Sequence, residues 1–170
     1  VKEYSPTEHR LTDQLLHASS FPGSPGYLAI EYLLKGVEVS LPPGMFYHDK
    51  EGAVRRRSRT AWWQRPEGHE MSLSSLIFPP DLDSSGDLSS CLVPSDSLEH
   101  IPGYANDKPV FMGHYWLDGQ PQCISPMVCC LDYSIAAGGK LVSYRYEGEL
   151  SLENNRFSAV DVHGKPCALN

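Results

Sequence analysis

The chain has 170 residues, with 14 Lys and Arg against 21 Asp and Glu, a formal net charge of −7. That balance excludes a general nucleic-acid binder, whose electrostatic footprint is a basic face, and no apolar run approaches the ~20 residues of a membrane span. At this length about 70% of the unfolded surface can be buried, so a core forms without disulfide staples.

Residues 1–170 read as a single domain. No leader with a charged start and an apolar middle opens it. It begins on Val1 directly in polar sequence, as the start of a truncated chain would. "SPTEHRLTDQLLHASS" places Leu11, Leu15 and Leu16 on one face behind Ser5-Pro6-Thr7, the pattern of a capped amphipathic helix. "SPGYLAIEYLLKG" predicts a second helix over about Pro25 to Lys35: Ser24 caps, Pro25 suits the first helical position and Gly36 suits a left-handed stop. Lys35 then complements the helix dipole. "MFYHDKEGAVRRRSRTAWW" predicts two extended segments around the turn Asp49-Lys50-Glu51-Gly52. From Pro66 to Gly103 periodicity is lost. "FPPDLDSSGDLSSCLVPSDS" predicts a long surface excursion with at most short turns.

From Lys108 the pattern turns to β. "PVFMG", "PMVCCLDYS", "KLVSYRYEG" and "RFSAVDV" are four strand candidates. Gly138-Gly139 marks a hairpin between the second and third. The nearly continuous apolar run from Met127 to Leu131 predicts a strand covered on both faces. Helices followed by strands give a mixed α/β or α+β domain. Five cysteines, an odd number that includes the adjacent Cys129-Cys130, fit buried free thiols better than disulfides. They also lack the paired spacing of a structural zinc domain. A reducing, cytoplasmic setting follows as the default.

Chemistry concentrates in "PVFMGHYWLDGQP". His114 follows a strand candidate on Gly113, and a glycine there lets the backbone turn sharply enough to aim the imidazole into a cleft. The alternative is a histidine that a loop happens to contain. Tyr115 and Trp116 either wall a substrate pocket or belong to the core. Asp132 closes an apolar run, where a carboxylate needs a partner. It either caps the turn at "DYS" or accepts a hydrogen bond that fixes the His114 ring. Arg55, Arg56, Arg57 and Arg59 form a basic cluster in an acidic chain. Strand alternation places Arg55, Arg57 and Arg59 on one face, where guanidinium forks can grip phosphate unless they are simply solvated.

"DKPVFMGHYWLDGQP" and "MVCCLDYSIAAGGKLVSYRYEGE" resemble the C-terminal third of bacterial calcineurin-like metallophosphoesterases. The branch resembled contains diadenosine tetraphosphatases and phosphoprotein phosphatases. That branch carries a G-H pair after a strand, a strand ending in L-D, a G-G turn and a final strand. "IEYLLKGVEVSLPPGMFYHDKEG" and "RTAWW" resemble the insertion of one bacterial subgroup. The likeness spans nearly the whole chain, with the insertion at about 37–107 and the C-terminal sheet at about 108–162.

The resemblance implies an incomplete four-layer α/β/β/α sandwich. It implies two divalent ions, Mn, Fe or Zn, with His114 as one ligand, Asp132 behind it, and Tyr115, Trp116, Arg55, Arg57 and Arg59 facing substrate. The family's D-x-H, G-D-x-x-D-R-G and G-N-H-E motifs do not precede His114 here. The chain is therefore expected to be inactive alone, to partner the missing N-terminal half of its own polypeptide, and to serve a small phosphorylated substrate or phosphoprotein. A binding module that retains the half-fold is the alternative. Asp161-Val162-His163-Gly164 imitates D-x-H-G, and Gly68-His69-Glu70 imitates the end of G-N-H-E. Neither has the companion motifs a metal site needs, so the first reads as a surface turn and the second as a solvated loop.

Overall fold

The computed structural model describes residues 12–49, 51–64, 70–78, 85–94, 98, 101, 103–104 and 108–169. It divides into two compact units, Val1–Val37 and Glu38–Asn170.

The first unit is a helical hairpin. Helix α1 (Asp13–Ser19) is capped by Thr12, whose Oγ1 accepts from the Leu15 N–H at 3.1 Å. The expected Ser5-Pro6-Thr7 start and Leu11 lie outside the described residues. Helix α2 (Pro25–Lys35) has the predicted bounds. Ser24 accepts from the Tyr27 N–H at 3.1 Å and donates back to the Ala18 carbonyl at 2.7 Å, tying the two helices together. Gly26 sits where the helices meet: a Cβ there would lie 2.9 Å from that of Ala18. Gly36 ends the helix at positive φ (80°), but its ψ of 175° is extended rather than left-handed helical.

The second unit is mixed α and β, built from several small sheets. Strand β1 (Glu38–Ser40) pairs antiparallel with β4 (Arg57–Arg59). Between them β2 (Tyr47–His48) and β3 (Val54–Arg55) make the hairpin expected around residues 49–52. Asp49 Oδ1 accepts the N–H groups of Glu51 and Ala53 across its turn, the local bonding that makes aspartate a turn former.

Between residues 66 and 103, the described residues depart from the expected surface excursion. Strand β5 (Glu70–Ser72) runs into helix α3 (Leu73–Leu76) and pairs antiparallel with β6 (Leu92–Pro94). Leu73, Leu76, Ile77, Leu88, Leu98 and Ile101 are all buried. The continuation of β4 reaches this segment: Ala61 N–H donates to the Leu76 carbonyl at 2.8 Å and Phe78 N–H to that of Arg59 at 2.9 Å. Isolated apolar anchors in Ser- and Asp-rich sequence carry no period, yet these six are buried in the folded unit. The expected loop around Gly68-His69 lies outside the described residues, while Glu70 stands in a strand.

The C-terminal part has two three-stranded sheets. Strand β7 (Val110–Met112) lies parallel to β9 (Val128–Cys130), and β8 (Cys123–Ser125), which was not foreseen, pairs antiparallel on the other side. Next, β10 (Asp132–Tyr133), β11 (Lys140–Tyr144) and β12 (Phe157–Val160) form an antiparallel sheet. The apolar run from Met127 thus serves two sheets, changing over at Leu131.

Strand β9 separates two cores. Val128 and Cys130 pack with Ala61, Trp63 and Tyr115, whereas Cys129 packs with Tyr133, Val142, Leu152, Phe157 and Ala159. Alternate side chains point to opposite faces, so a strand between two cores must be apolar throughout. All five cysteines are free. Among the described residues no helix is long and apolar enough to cross a membrane.

Burial pushes the Cys129 thiol up to about 12 and the Cys130 thiol up to about 11. Between pH 9 and those values the unfolded chain releases protons that the native state keeps. The stability the neutral thiols confer is complete below pH 9 and is lost as pH rises towards 11–12, at about 1.4 kcal/mol per pH unit for each group. Alkylation with iodoacetamide at pH 8.5, read by peptide mass spectrometry, should leave Cys129 and Cys130 unmodified until denaturant is added. Labelling of both in the native protein at the rate of the half-buried Cys91 would contradict the packing of β9.

Candidate functional site

A cleft of about 600 Å³ opens within the second unit, lined by Glu38, Tyr47, Asp49, Val54, Arg55, Arg56, Arg57, Arg59, His114 and Trp116. The arginines reach it because β3 and β4 leave the hairpin in succession with a break at Arg56. His114 and Trp116 reach it from the loop after β7. Of the residues singled out in the sequence, Arg55, Arg57, Arg59, His114 and Trp116 meet here. The break in extension also brings in Arg56, which simple alternation would have turned away.

The arginines are not equivalent. Arg55 is held by Asp49, with Nη2 2.7 Å and Nε 2.8 Å from Oδ2. Hydrogen bonding from the Ala53 N–H, with that from Arg55 and against an opposing desolvation, keeps the Asp49 carboxyl below its usual range. Arg57 Nε lies 3.3 Å from a Glu38 carboxylate oxygen. Among the described residues no carboxylate pairs with Arg56 or Arg59. The Arg56 guanidinium stands over the Phe46 ring, 5.9 Å from its centroid. That of Arg59 stands over Tyr115 at 5.7 Å, and its Nη1 donates to the His114 carbonyl. Among the described residues, then, Asp49 and Glu38 pair with Arg55 and Arg57, and no carboxylate does so with Arg56 or Arg59. Burial, the largest influence on Tyr47, raises its phenol pKa and keeps it a neutral hydrogen-bonding group.

His114 and Trp116 adopt φ of 71° and 52°. Non-glycine residues seldom occupy that region, and such strain persists only where surroundings enforce it. The sharp turn expected of Gly113 falls on His114 itself. A Cβ on Gly113 would meet only the Cβ of Asp132, at 3.7 Å, an ordinary contact.

Tyr115 does not face the cleft. It is buried against Trp63 and Phe78, with ring centroids 5.9 and 5.4 Å away. Its hydroxyl donates to the Thr60 carbonyl at 3.1 Å, and burial pushes its pKa up. The alternating directions of neighbours in the loop send Tyr115 inward and leave Trp116 36% exposed at the rim. Asp132 takes the turn-capping role: Oδ1 accepts from the Ser134 N–H at 3.1 Å, and its carbonyl accepts from Leu117 N–H at 2.9 Å, bracing the loop that carries His114.

Asp161-Val162-His163-Gly164 forms the expected turn after β12. Asp161 Oδ1 accepts the N–H groups of His163 and Lys165, each at 2.9 Å, and Gly164 has φ of 76°. Imidazole at the cleft rim is donor chemistry suited to Mn, Fe or Zn. Among the described residues no group of three or more His, Cys, Asp or Glu able to hold a metal ion stands together. The described residues therefore do not complete a metal site, and His114 stands among arginines on the cleft wall.

Chemically, the site can bind an oxyanion on guanidinium donors, with an indole and a phenol at its walls. Sequence reasoning missed Tyr47, Arg56, Glu38 and Asp49. The triple Arg55-Arg56-Arg57 was the available signal for Arg56, since three adjacent cations rarely share a straight strand facing one cleft. Comparison with protein-family models, curated proteins and solved structures finds no match to this chain.

Proposed function

We propose that the chain is the C-terminal portion of a calcineurin-like metallophosphoesterase, with its arginine-lined cleft gripping the phosphate of an ester or nucleotide anhydride. The observation that carries this reading is the meeting of His114, Trp116 and the arginines around one cleft: the His114 segment resembles that family, and the arginines stand between two stretches that resemble its insertion. In the complete enzyme the half-fold supplies one sheet of the four-layer sandwich and the insertion over the site. The remaining metal ligands come from D-x-H, G-D-x-x-D-R-G and G-N-H-E segments outside this chain. When bound, two such ions lower the pKa of a water and clamp the attacking and leaving oxygens. His114 would offer an imidazole nitrogen to one ion, the arginines would hold the phosphoryl oxygens, and Trp116 would cover the leaving group from the cleft rim.

Measuring Mn-dependent hydrolysis of an aryl phosphate by the complete polypeptide tests the reading. Arg57→Ala should raise KM several-fold with kcat nearly unchanged, because a group that grips substrate and transition state alike contributes uniform binding. The effect is limited by Glu38, which already shares the Arg57 charge. An equal fall in kcat and kcat/KM would move Arg57 into transition-state stabilisation.

Arg56 and Arg59, which have no carboxylate partner among the described residues, favour a second reading, a binding module that holds phosphorylated ligands without turning them over. Calorimetric titration with phenyl phosphate in EDTA separates the two. Tight metal-free binding, with no hydrolysis when Mn is restored to the complete polypeptide, selects the module.

A further inference from the structure

We propose that Arg59 is a positioning residue that couples anion binding in the cleft to the conformation of the His114–Trp116 loop. This inference rests on the reading of the cleft as a site for a phosphate group, and it assigns Arg59 a role distinct from the other arginines.

Three observations meet at this side chain. One edge of the guanidinium holds the His114 carbonyl, the group that closes the peptide after a residue at φ 71°. Its face lies against Tyr115, the core residue between the two rim residues of that loop. Its Nε is buried and has no hydrogen-bond partner among the described residues, while the side chain still lines the cleft. An unpartnered buried N–H costs free energy comparable to a lost hydrogen bond. A planar fork distributes its donors over two directions at once. An oxyanion placed in the cleft engages the donors that the loop does not use, and the fork is then fixed from both sides. Fixing it steadies the His114 carbonyl and the strained backbone on either side. Loop order and anion affinity are then two readings of one coupling, and by linkage each strengthens the other.

Arg56 provides the contrast. It lines the same cleft, with no carboxylate partner among the described residues, but rests on Phe46, in the hairpin rather than the His114 loop. It should supply charge without positioning.

The test titrates the 170-residue chain with inorganic phosphate while amide hydrogen exchange is followed at Gly113–Leu117. In the wild type, saturating phosphate should slow exchange in this loop roughly tenfold. Arg59→Lys keeps the charge but loses the fork. It should speed loop exchange in the free protein, weaken phosphate binding about tenfold, and abolish the phosphate-dependent slowing. Arg56→Ala should weaken binding while leaving exchange in the free loop as in the wild type. If phosphate binds and the wild-type loop exchanges at the same rate throughout, the coupling is wrong, and no variant is needed to conclude so. If Arg59→Lys matches the wild type in affinity and exchange, Arg59 supplies only charge and the positioning role falls while the cleft reading stands. Failure of the wild type to bind phosphate removes the cleft reading and the coupling together.

Discussion

Replacing His114 with alanine in the complete polypeptide is expected to lower kcat for phosphoester hydrolysis by two to three decades, roughly 3–4 kcal/mol of transition-state stabilisation. The size follows from the role proposed for it. In that role an imidazole nitrogen at the cleft rim would hold one of two ions, and losing the ion would forfeit both water activation and charge neutralisation. Metal content should fall alongside kcat. The fold should survive, because the histidine lies at the edge of the cleft and its backbone is braced from outside by Arg59 and by the loop bond from Leu117 to Asp132. Alanine tolerates positive φ less well than histidine, so a loss of about 1 kcal/mol in stability is expected from the backbone alone. Asp132→Asn should have a smaller effect on rate, since an asparagine side-chain oxygen can still accept from the Ser134 N–H. Wild-type kcat with two metals bound in His114→Ala would make this histidine an ordinary loop residue and remove the metal-ligand assignment.

Gly139→Ala should be among the most destabilising single changes in the molecule. A Cβ at that position would lie 2.0 Å from the Tyr133 carbonyl oxygen and 2.9 Å from the carbonyl carbon and oxygen of Ser134. Every one of these neighbours is backbone, so no side-chain rotation relieves the clash. The turn that makes the contact, a 3-10 segment at Ile135–Ala137, joins β10 to β11. Opening it separates Tyr133 and Val142 from the core they share with Cys129. A loss of at least about 3 kcal/mol is expected, at the upper end of single-substitution effects, equivalent to a fall of roughly 6–12 °C in melting temperature at this chain length. Gly113→Ala is the informative control. It meets only an ordinary contact with Asp132 and should cost under about 1 kcal/mol. Equal losses in the two variants would show that the glycine of the G-H pair is held for its backbone freedom after all.

Much of the secondary structure was legible because its signals are local. Ser24, Pro25 and Gly36 mark the ends of α2 through bonds and dihedral preferences confined to a few residues. The turn around Asp49, the hairpin at Gly138-Gly139 and the capped turn at Asp161 are local in the same sense. The uninterrupted apolar run at β9 announced burial on both faces, and two cores meet there. Strand β8 was overlooked because Cys123–Ser125 is short and unpatterned; it exists through pairing with β9.

The site divides along the same line. The types of side chain for an anion cleft, and the loop that carries His114, could be read from the residues alone. Tertiary structure decided which of them act together. It turned Tyr115 into the core, where its ring is covered by Trp63 and Phe78, and left Trp116 at the rim. It paired Arg55 with Asp49 and Arg57 with Glu38, and among the described residues gave Arg56 and Arg59 aromatic rings instead of carboxylates. It also placed positive φ on His114 instead of Gly113. Burial of Leu73, Leu76, Leu88 and Leu98 likewise followed no local period. Local dihedral and capping preferences are written in neighbouring residues, whereas charge pairing, side-chain direction and backbone strain depend on groups the fold brings from tens of residues away.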